Sequence, residues 1–317
     1  MTDEEFDHIV ENYPYPIACS FNRLGTVHCL EPGYNRLKHI DQTAAAITQF
    51  LGTLVLCCCR DHAENQSLKL SSTFSKKFCS QLGKPARGCW MQFAREGLGW
   101  LLTTSGPPNE LADQLANFFF KRPPKTAHSE GHKALDRLIN NRNQIEHGDK
   151  QTPDISQIAA DCVETYSDLV LVLRSLSFLE NYELDFVAKI EVNKRRKQPP
   201  QFIHTRQPRR GDQGGYRCKK DLPSSIILEN RSVLFRNSRT GYYLNLDPLL
   251  VHEEKVGKAE DLFFFNGMES SASIRYVACK QGGGFNSSTC DRRDELDEEM
   301  RILLRVLAPT TEVNHGE

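Results

Sequence analysis

The hydrophobic pattern of the chain changes its period near Tyr182. Before that residue, apolar side chains recur every three or four positions, as on one face of an α-helix, over residues 37–58 and most clearly over residues 155–176. After it, short β-branched and aromatic runs alternate with Gly, Asn and Ser, a pattern typical of strands and turns. The sequence therefore predicts an α+β protein, with an N-terminal all-α antiparallel helical bundle over residues 1–182 and a small β-rich domain with a terminal helix over residues 221–317.

Turn and capping residues divide these two regions into elements. The motif Pro14-Tyr15-Pro16 indicates an extended entry before the first helix. After the helix over 37–58, further helices are predicted over 68–82, 89–102, 109–120, 129–147, 155–176 and 295–307. Strands are predicted over 184–192, 225–229, 232–236, 241–246, 261–265 and 274–279.

A basic segment lies between the two regions. Residues 194–220 contain ten lysines and arginines against Asp212 alone, with prolines and glycines interspersed. We predict that residues 183–220 form a flexible basic hinge whose cations follow the phosphates of RNA. The predicted RNA contacts are Arg195, Arg196, Arg209 and Arg210, together with Lys121 and Arg122, which follow a Phe triplet.

Composition narrows the classes of function. The formal net charge is −1 with 26% charged residues, so any affinity for RNA has to be local. Mean hydropathy is −0.51, no leader pattern is seen, and eleven cysteines include a consecutive triplet that does not suit a disulfide framework. We expect a cytoplasmic protein with reduced thiols and no membrane partner. No phosphate-binding glycine loop is present, and His128 and His132 lack a third ligand, so neither a cofactor nor a metal is predicted.

The run from Ile139 to Gly148 carries the strongest functional signal. Leu135, Leu138 and Arg142 share one helical stripe, which places a guanidinium among apolar residues. Such an arginine needs a carboxylate, a bound phosphate or a subunit boundary, and its fork suits phosphate. His147 follows five residues later, roughly 140° around an ideal helix, so the two side chains meet only if the helix ends or if two copies share the site.

These residues resemble a known family. Arg142, Asn143 and His147, followed by Gly148, are similar to the R-x4-6-H motif of HEPN domains, and the resemblance covers roughly residues 14–182. It implies that Arg142 stabilises the phosphate in flight, that His147 assists attack by the RNA 2′-hydroxyl, and that Asn143 orients the site. HEPN toxins silenced by nucleotide transfer carry a tyrosine two residues after the histidine, where this chain has Asp149.

The resemblance implies a metal-independent endoribonuclease of a prokaryotic toxin or phage-defence system. RNA, a second copy of the chain and an antitoxin or defence-complex protein are then the expected partners. Two alternatives stay open. The Arg142/His147 pair is also compatible with a structural helix terminus, and the whole bundle with a non-catalytic interaction module that binds an effector protein or RNA.

Overall fold

The computed structural model describes residues 1–66, 68, 72–104, 109–121, 127–147, 155–212, 218–253, 260–268, 273–280 and 283–307. Helices occupy the first part of the chain and strands the second, and a helix closes the described part, which confirms the α+β prediction. The helices are α1 (Asp3–Asn12), α2 (Tyr15–Phe21), α3 (Tyr34–Gln66), α4 (Ser72–Gln81), α5 (Arg87–Thr103), α6 (Glu110–Phe119), α7 (Glu130–His147), α8 (Ile155–Ser175) and α9 (Arg293–Leu307).

The strands are β1 (Tyr182–Asn193), β2 (Gln201–Pro208), β3 (Lys219–Lys220), β4 (Val233–Asn237), β5 (Tyr243–Asn245), β6 (Leu250–Glu253), β7 (Asp261–Met268), β8 (Ile274–Ala278) and β9 (Gly284–Asn286). They form two antiparallel sheets in the orders β3-β2-β1-β4-β5 and β6-β7-β8-β9.

Helix α3 lies at the centre of the molecule. Its 33 residues span about 50 Å, and every side chain from Phe50 to Arg60 is buried. The first sheet packs on it through Phe235, whose ring lies 5.6 Å from that of Phe50, and the second sheet accepts a 2.7 Å hydrogen bond from Gln49 at the Phe265 carbonyl. By length and composition alone, this helix could cross a membrane. In the fold, however, 78% of its apolar 18-residue window is buried.

Two helix pairs of the N-terminal region differ in their relative direction. Between α7 and α8, Gly131 lies against Ser175 and Arg137 binds Asp168, so the two helices run antiparallel, as predicted. Between α3 and α5 the direction is the same at both ends. Arg87 Nη2 donates to Asp41 at 2.9 Å near their starts, and His62 lies 3.0 Å from Thr104 near their ends. Helices α3 and α5 are therefore parallel, which the intervening α4 makes possible. The bundle is thus not the fully antiparallel one that the sequence had predicted.

Most of the difference from the predicted elements lies at polar or proline-containing segments. Thr2 caps α1 by accepting from the Glu5 amide at 3.2 Å, and Pro14 leads directly into α2, so two helices replace the predicted extended entry. No strand forms over 225–229, although Ser224 pairs with Phe202.

The predicted basic hinge contains regular structure. Over residues 183–220 the chain forms most of β1, all of β2 and the short β3, with β2 paired to β1 from Asp185↔Pro208 to Asn193↔Gln201. Gln201–Pro208 has no regular apolar alternation, and its one arginine, Arg206, is buried in a pairing with Asp185. Most of residues 183–208 therefore form sheet where the sequence predicted a linker.

One hydrophobic cluster runs through both regions, from Ile9 on α1 to Leu307 on α9. All eleven cysteines are free. Cys57, Cys58 and Cys59 are fully buried within α3, and burial raises the pKa of the Cys57 thiol to about 12, whereas Cys79 and Cys218 are exposed. The cysteine triplet serves as small apolar packing, as expected for reduced thiols.

Candidate functional site

A groove of about 330 Å³ lies beside the second half of α7. Leu138 and Asn141 of α7 form one wall, and the opposite walls come from the first turns of α3, the start of α5 and the middle of α8. The side chains lining it are Tyr34, Leu37, Lys38, Ile40, Asp41, Gln42, Arg87, Leu138, Asn141 and Thr165. The groove therefore opens one residue before Arg142, where the HEPN-like motif begins.

The motif residues continue the helix that borders this groove. The α7 backbone is helical through positions 142, 143 and 147, while the side chains of Arg142, Asn143 and His147 lie outside the described residues, as does Gly148. Two turns earlier, Ala134, Leu135, Leu138 and Ile139 are buried against the core. Position 142 follows Leu138 by four residues along the helix, and position 147 lies roughly 140° further round than position 142.

The groove carries cationic and titratable groups that the sequence had not singled out. Lys38 is exposed on its wall, and Arg87 is held by Asp41. His39 hydrogen-bonds Gln42 at 3.0 Å, and burial lowers the pKa of its imidazole, helped by the nearby charges of Arg23 and Lys38. Near neutral pH, His39 is thus an uncharged imidazole that contacts the groove-lining Gln42 and does not itself line the groove. In the sequence, the adjacent residues Lys38 and His39 were the local pattern that could have indicated these cationic and titratable groups.

The start of α3, the residues just before it and α8 expose apolar side chains. Val27, Leu30 and Tyr34 are 81%, 59% and 66% exposed and lie at or just before the first turn of α3. Val163 is 58% exposed on α8, one turn before Tyr166, whose ring carries the Arg36 guanidinium 4.3 Å from its centroid. Of these residues Tyr34 also lines the groove, and exposed apolar side chains of this kind are typical of a contact surface.

The side chains predicted to contact RNA differ in their exposure and in their partners. Arg195 and Arg196 are exposed in the turn between β1 and β2, and Lys121 is exposed beside Glu130, whose carboxylate lies 3.1 Å away. Arg210 is exposed but donates to Asn12 on α1. Arg122 lies outside the described residues.

Arg209 is a correction to the predicted RNA contacts. Its side chain is 3% exposed and donates to Glu260 at 2.8 Å and to His252 Nε2 at 2.6 Å. It is buried because β2 continues into the core, so it is not available to RNA phosphates in this structure.

His128 and His132 lie together at the start of α7, as their spacing suggested. Their rings are 4.4 Å apart, and His132 is fully buried, with Nδ1 3.1 Å from the Phe119 carbonyl oxygen. Burial lowers the pKa of His132 to about 4. Within the ranges that the structure describes, no group of three or more His, Cys, Asp or Glu side chains is arranged to hold a metal ion.

A second cavity, of about 520 Å³, lies at the opposite end of α3 and was not indicated by the sequence. Arg60 donates from its floor to the carbonyls of Asn245 and Asp247 at 2.6 and 2.5 Å. Glu299 lines the same cavity, and burial raises the pKa of its carboxyl to about 7. These residues are far apart in the chain, so no local motif connects them.

Comparison with protein-family models, curated proteins and solved structures gave no match to this chain.

Proposed function

We propose that this protein is a metal-independent endoribonuclease whose reaction centre lies at the C-terminal half of α7. The observation that supports the proposal is the position of the Arg142-to-His147 motif, on a continuous helix that borders the 330 Å³ groove at Leu138 and Asn141. In the proposed reaction the RNA 2′-hydroxyl attacks the adjacent phosphorus, the bond to the 5′-oxygen breaks, and a 2′,3′-cyclic phosphate and a 5′-hydroxyl are released. Because the nucleophile belongs to the substrate, the protein has only to orient it, move protons and stabilise charge.

Within this proposal, each site residue has one task. Arg142 binds the non-bridging phosphate oxygens, His147 accepts or donates the proton, and Asn143 orients the substrate. Lys38 on the facing wall adds positive charge near the phosphate. The proposed biological setting is a toxin or phage-defence system, with an antitoxin or defence-complex protein as a further partner.

The reaction is tested by incubating purified protein with single-stranded RNA in excess EDTA. Cleavage with a 2′,3′-cyclic phosphate end is expected, and Arg142→Ala and His147→Ala should each reduce it at least about a hundredfold, the scale of a lost acid or base. Circular dichroism would confirm an unchanged helical content. Lys133→Ala, on an exposed face of the same helix, is the matched control. Cleavage retained in both motif variants would exclude the assignment.

We further propose that the active species is a homodimer joined at the exposed apolar surface formed by Val27, Leu30, Tyr34 and Val163. Tyr34 lines the groove and Val163 lies on α8, which forms one of its walls, so a second copy placed on this surface would bring its own α7 to the site. On one continuous helix, positions 142 and 147 are separated by roughly 140°. In a dimer, position 142 of one copy and position 147 of the other could form one site.

Val27→Asp should therefore give a monomer in light scattering and lose cleavage, because a carboxylate would be buried in the interface. Leu171→Asp, at a partly exposed position elsewhere on α8, should remain dimeric. A dimer that persists in Val27→Asp would contradict this interface.

The same apolar surface supports a second candidate function, a non-catalytic module that docks on an effector protein. In that case RNA is not cut under any condition, and the apolar surface rather than Arg142 controls association. Loss of dimerisation or partner capture in Val27→Asp, combined with an absence of cleavage by the unaltered protein, would favour it.

A further inference from the structure

The end of the first sheet farthest from Tyr182 carries a surface that the nuclease proposal does not use. Strands β1 and β2 pair up to Asn193↔Gln201, so residues 194–200 form the turn that closes the hairpin. The backbone of Ser224 exchanges two hydrogen bonds with Phe202, at 2.7 and 2.9 Å, which fixes residues 222–227 beside that turn. We refer to residues 192–202 and 222–227 together as the hairpin tip.

The hairpin tip has a strong local positive charge. Lys194, Arg195, Arg196 and Lys197 are all exposed, and neither part of the tip contains an aspartate or glutamate. Within the ranges given above, no acidic side chain forms an ion pair with any of these four cations. By contrast, Lys189 and Lys220 in the neighbouring strands are both paired with Glu191, at 3.1 and 2.7 Å. A cluster of four uncompensated cations on a chain of net charge −1 favours a polyanionic partner.

Aliphatic side chains surround these cations. Val192, Leu222, Ile226 and Ile227 are 60%, 86%, 58% and 57% exposed, and they account for four of the ten exposed large hydrophobic residues in the described ranges. Such exposure is unfavourable in water, and its concentration at one end of a sheet marks a surface that contacts a partner.

The combination of cations and aliphatic groups distinguishes between two polyanions. Single-stranded RNA is held by cations together with aromatic rings that stack on bases, and the tip offers only the partly buried Phe202. An anionic bilayer attracts cations to its headgroups and takes aliphatic side chains into the boundary with the acyl chains, so it uses both components. Three prolines, Pro199, Pro200 and Pro223, restrict the backbone of the tip and so reduce the entropy lost on contact.

We propose that the hairpin tip docks this protein on the surface of an anionic lipid bilayer, with residues 194–197 at the headgroups and Leu222, Ile226 and Ile227 inserted beneath them. The contact is peripheral and needs no membrane-spanning segment. This proposal replaces the expectation of no membrane partner, which rested on spanning segments and a leader alone. It is independent of the nuclease proposal.

The test is co-sedimentation of the full-length protein with vesicles of phosphatidylcholine alone or with about 30% phosphatidylserine. Binding is expected only to the anionic vesicles. Arg195→Gln/Arg196→Gln should weaken it by at least about tenfold, because each cation near the surface contributes to binding. Leu222→Ser/Ile226→Ser should weaken it by at least about tenfold too, since it removes the inserted apolar groups.

Matched controls separate the tip from general surface effects. Arg293→Gln/Arg301→Gln removes two exposed cations from α9, and Leu171→Ser removes a partly exposed apolar group from α8. Both should bind anionic vesicles as the unaltered protein does. All substitutions are at surface positions, and an unchanged melting temperature would confirm that each variant is folded.

A parallel titration with a fluorescent single-stranded RNA distinguishes the alternative. The proposal is overturned if anionic vesicles are not bound, or if the serine variant binds them as tightly as the unaltered protein. RNA binding that is lost in the glutamine variant and retained in the serine variant, without vesicle binding, would assign the tip to RNA instead.

Discussion

Individual buried polar residues show how this chain accommodates charge inside its core. His252 stacks on Phe186 with ring centroids 3.8 Å apart, and its Nε2 accepts a hydrogen bond from Arg209. Burial lowers the pKa of this imidazole to about 3, and the adjacent Arg209 contributes in the same direction. Glu260 is also 3.3 Å from that nitrogen, but Arg209 engages its carboxylate at 2.8 Å. His252 is therefore neutral and acts as an acceptor.

This arrangement predicts a loss of stability in mild acid. The unfolded chain binds a proton at His252 below pH 6.5, whereas the folded protein does so only near pH 3, so protons favour unfolding between these values. From pH 8 to pH 5 the free energy of unfolding should fall by about 2 kcal/mol through this residue.

His252→Gln keeps an acceptor for Arg209 and removes the titration, so urea unfolding across this pH range should show a correspondingly smaller decrease. His28→Gln, at an exposed position, is the control. An equal decrease in the unaltered protein and in His252→Gln would contradict the assigned cause.

At the level of elements, the first sheet is joined by a charged network across three strands. Asp185 on β1 is fully buried and accepts from Arg206 on β2 and, at 3.3 Å, from Arg236 on β4. Burial raises the pKa of its carboxyl, and the two guanidinium groups oppose that shift. Each arginine has a second acidic partner at the rim, Asp221 for Arg206 and Glu183 for Arg236. The network therefore fixes how β2 and β4 flank β1.

Removing the central charge should destabilise the sheet without abolishing it. Asp185→Asn is expected to cost about 2 kcal/mol, less than breaking an isolated buried pair, because both arginines retain their rim carboxylates. Urea denaturation provides the measurement. Glu191→Gln, which alters the exposed pairs with Lys189 and Lys220, should leave the midpoint unchanged. Equal stability of Asp185→Asn and the unaltered protein would show that the network is not stabilising.

The same network explains why some elements could be predicted and others could not. Helices such as α3, α7 and α8 follow from their apolar period, and β4, β7 and β8 from apolar runs. Strand β2 could not be recognised because Arg206 and His204 occupy buried positions, where their partners include Asp185 and the backbone of Leu228, which lie elsewhere in the chain. The groove beside α7 could be anticipated only in part, since Lys38 and Arg87 reach it through tertiary packing.

At the scale of the whole molecule, α3 contacts both the helical and the strand regions. Phe235, Leu246 and Phe265 cover it from the strand side, and Arg60 binds the carbonyls of Asn245 and Asp247. Without residues 183–317 this face of α3 would be exposed to water, at a cost of roughly 25 cal/mol for each Å² of apolar surface.

We therefore expect the full chain to unfold in one cooperative thermal transition and a fragment of residues 1–182 to show none. Calorimetry of both proteins, with circular dichroism at 222 nm as a second probe, provides the measurement. A fragment with its own sharp transition would show that the helical region is an independent domain.

Alkylation of the buried cysteine triplet would measure how often the folded protein opens. A thiol reagent can reach Cys79 and Cys218 in the native protein, whereas Cys57, Cys58 and Cys59 are enclosed on every side of α3 and their thiolate forms are suppressed. Alkylation of the triplet therefore requires the centre of the protein to separate. The rate at which mass is added at these three residues would therefore report the rate of opening. A ligand that binds only the closed protein would lower that rate.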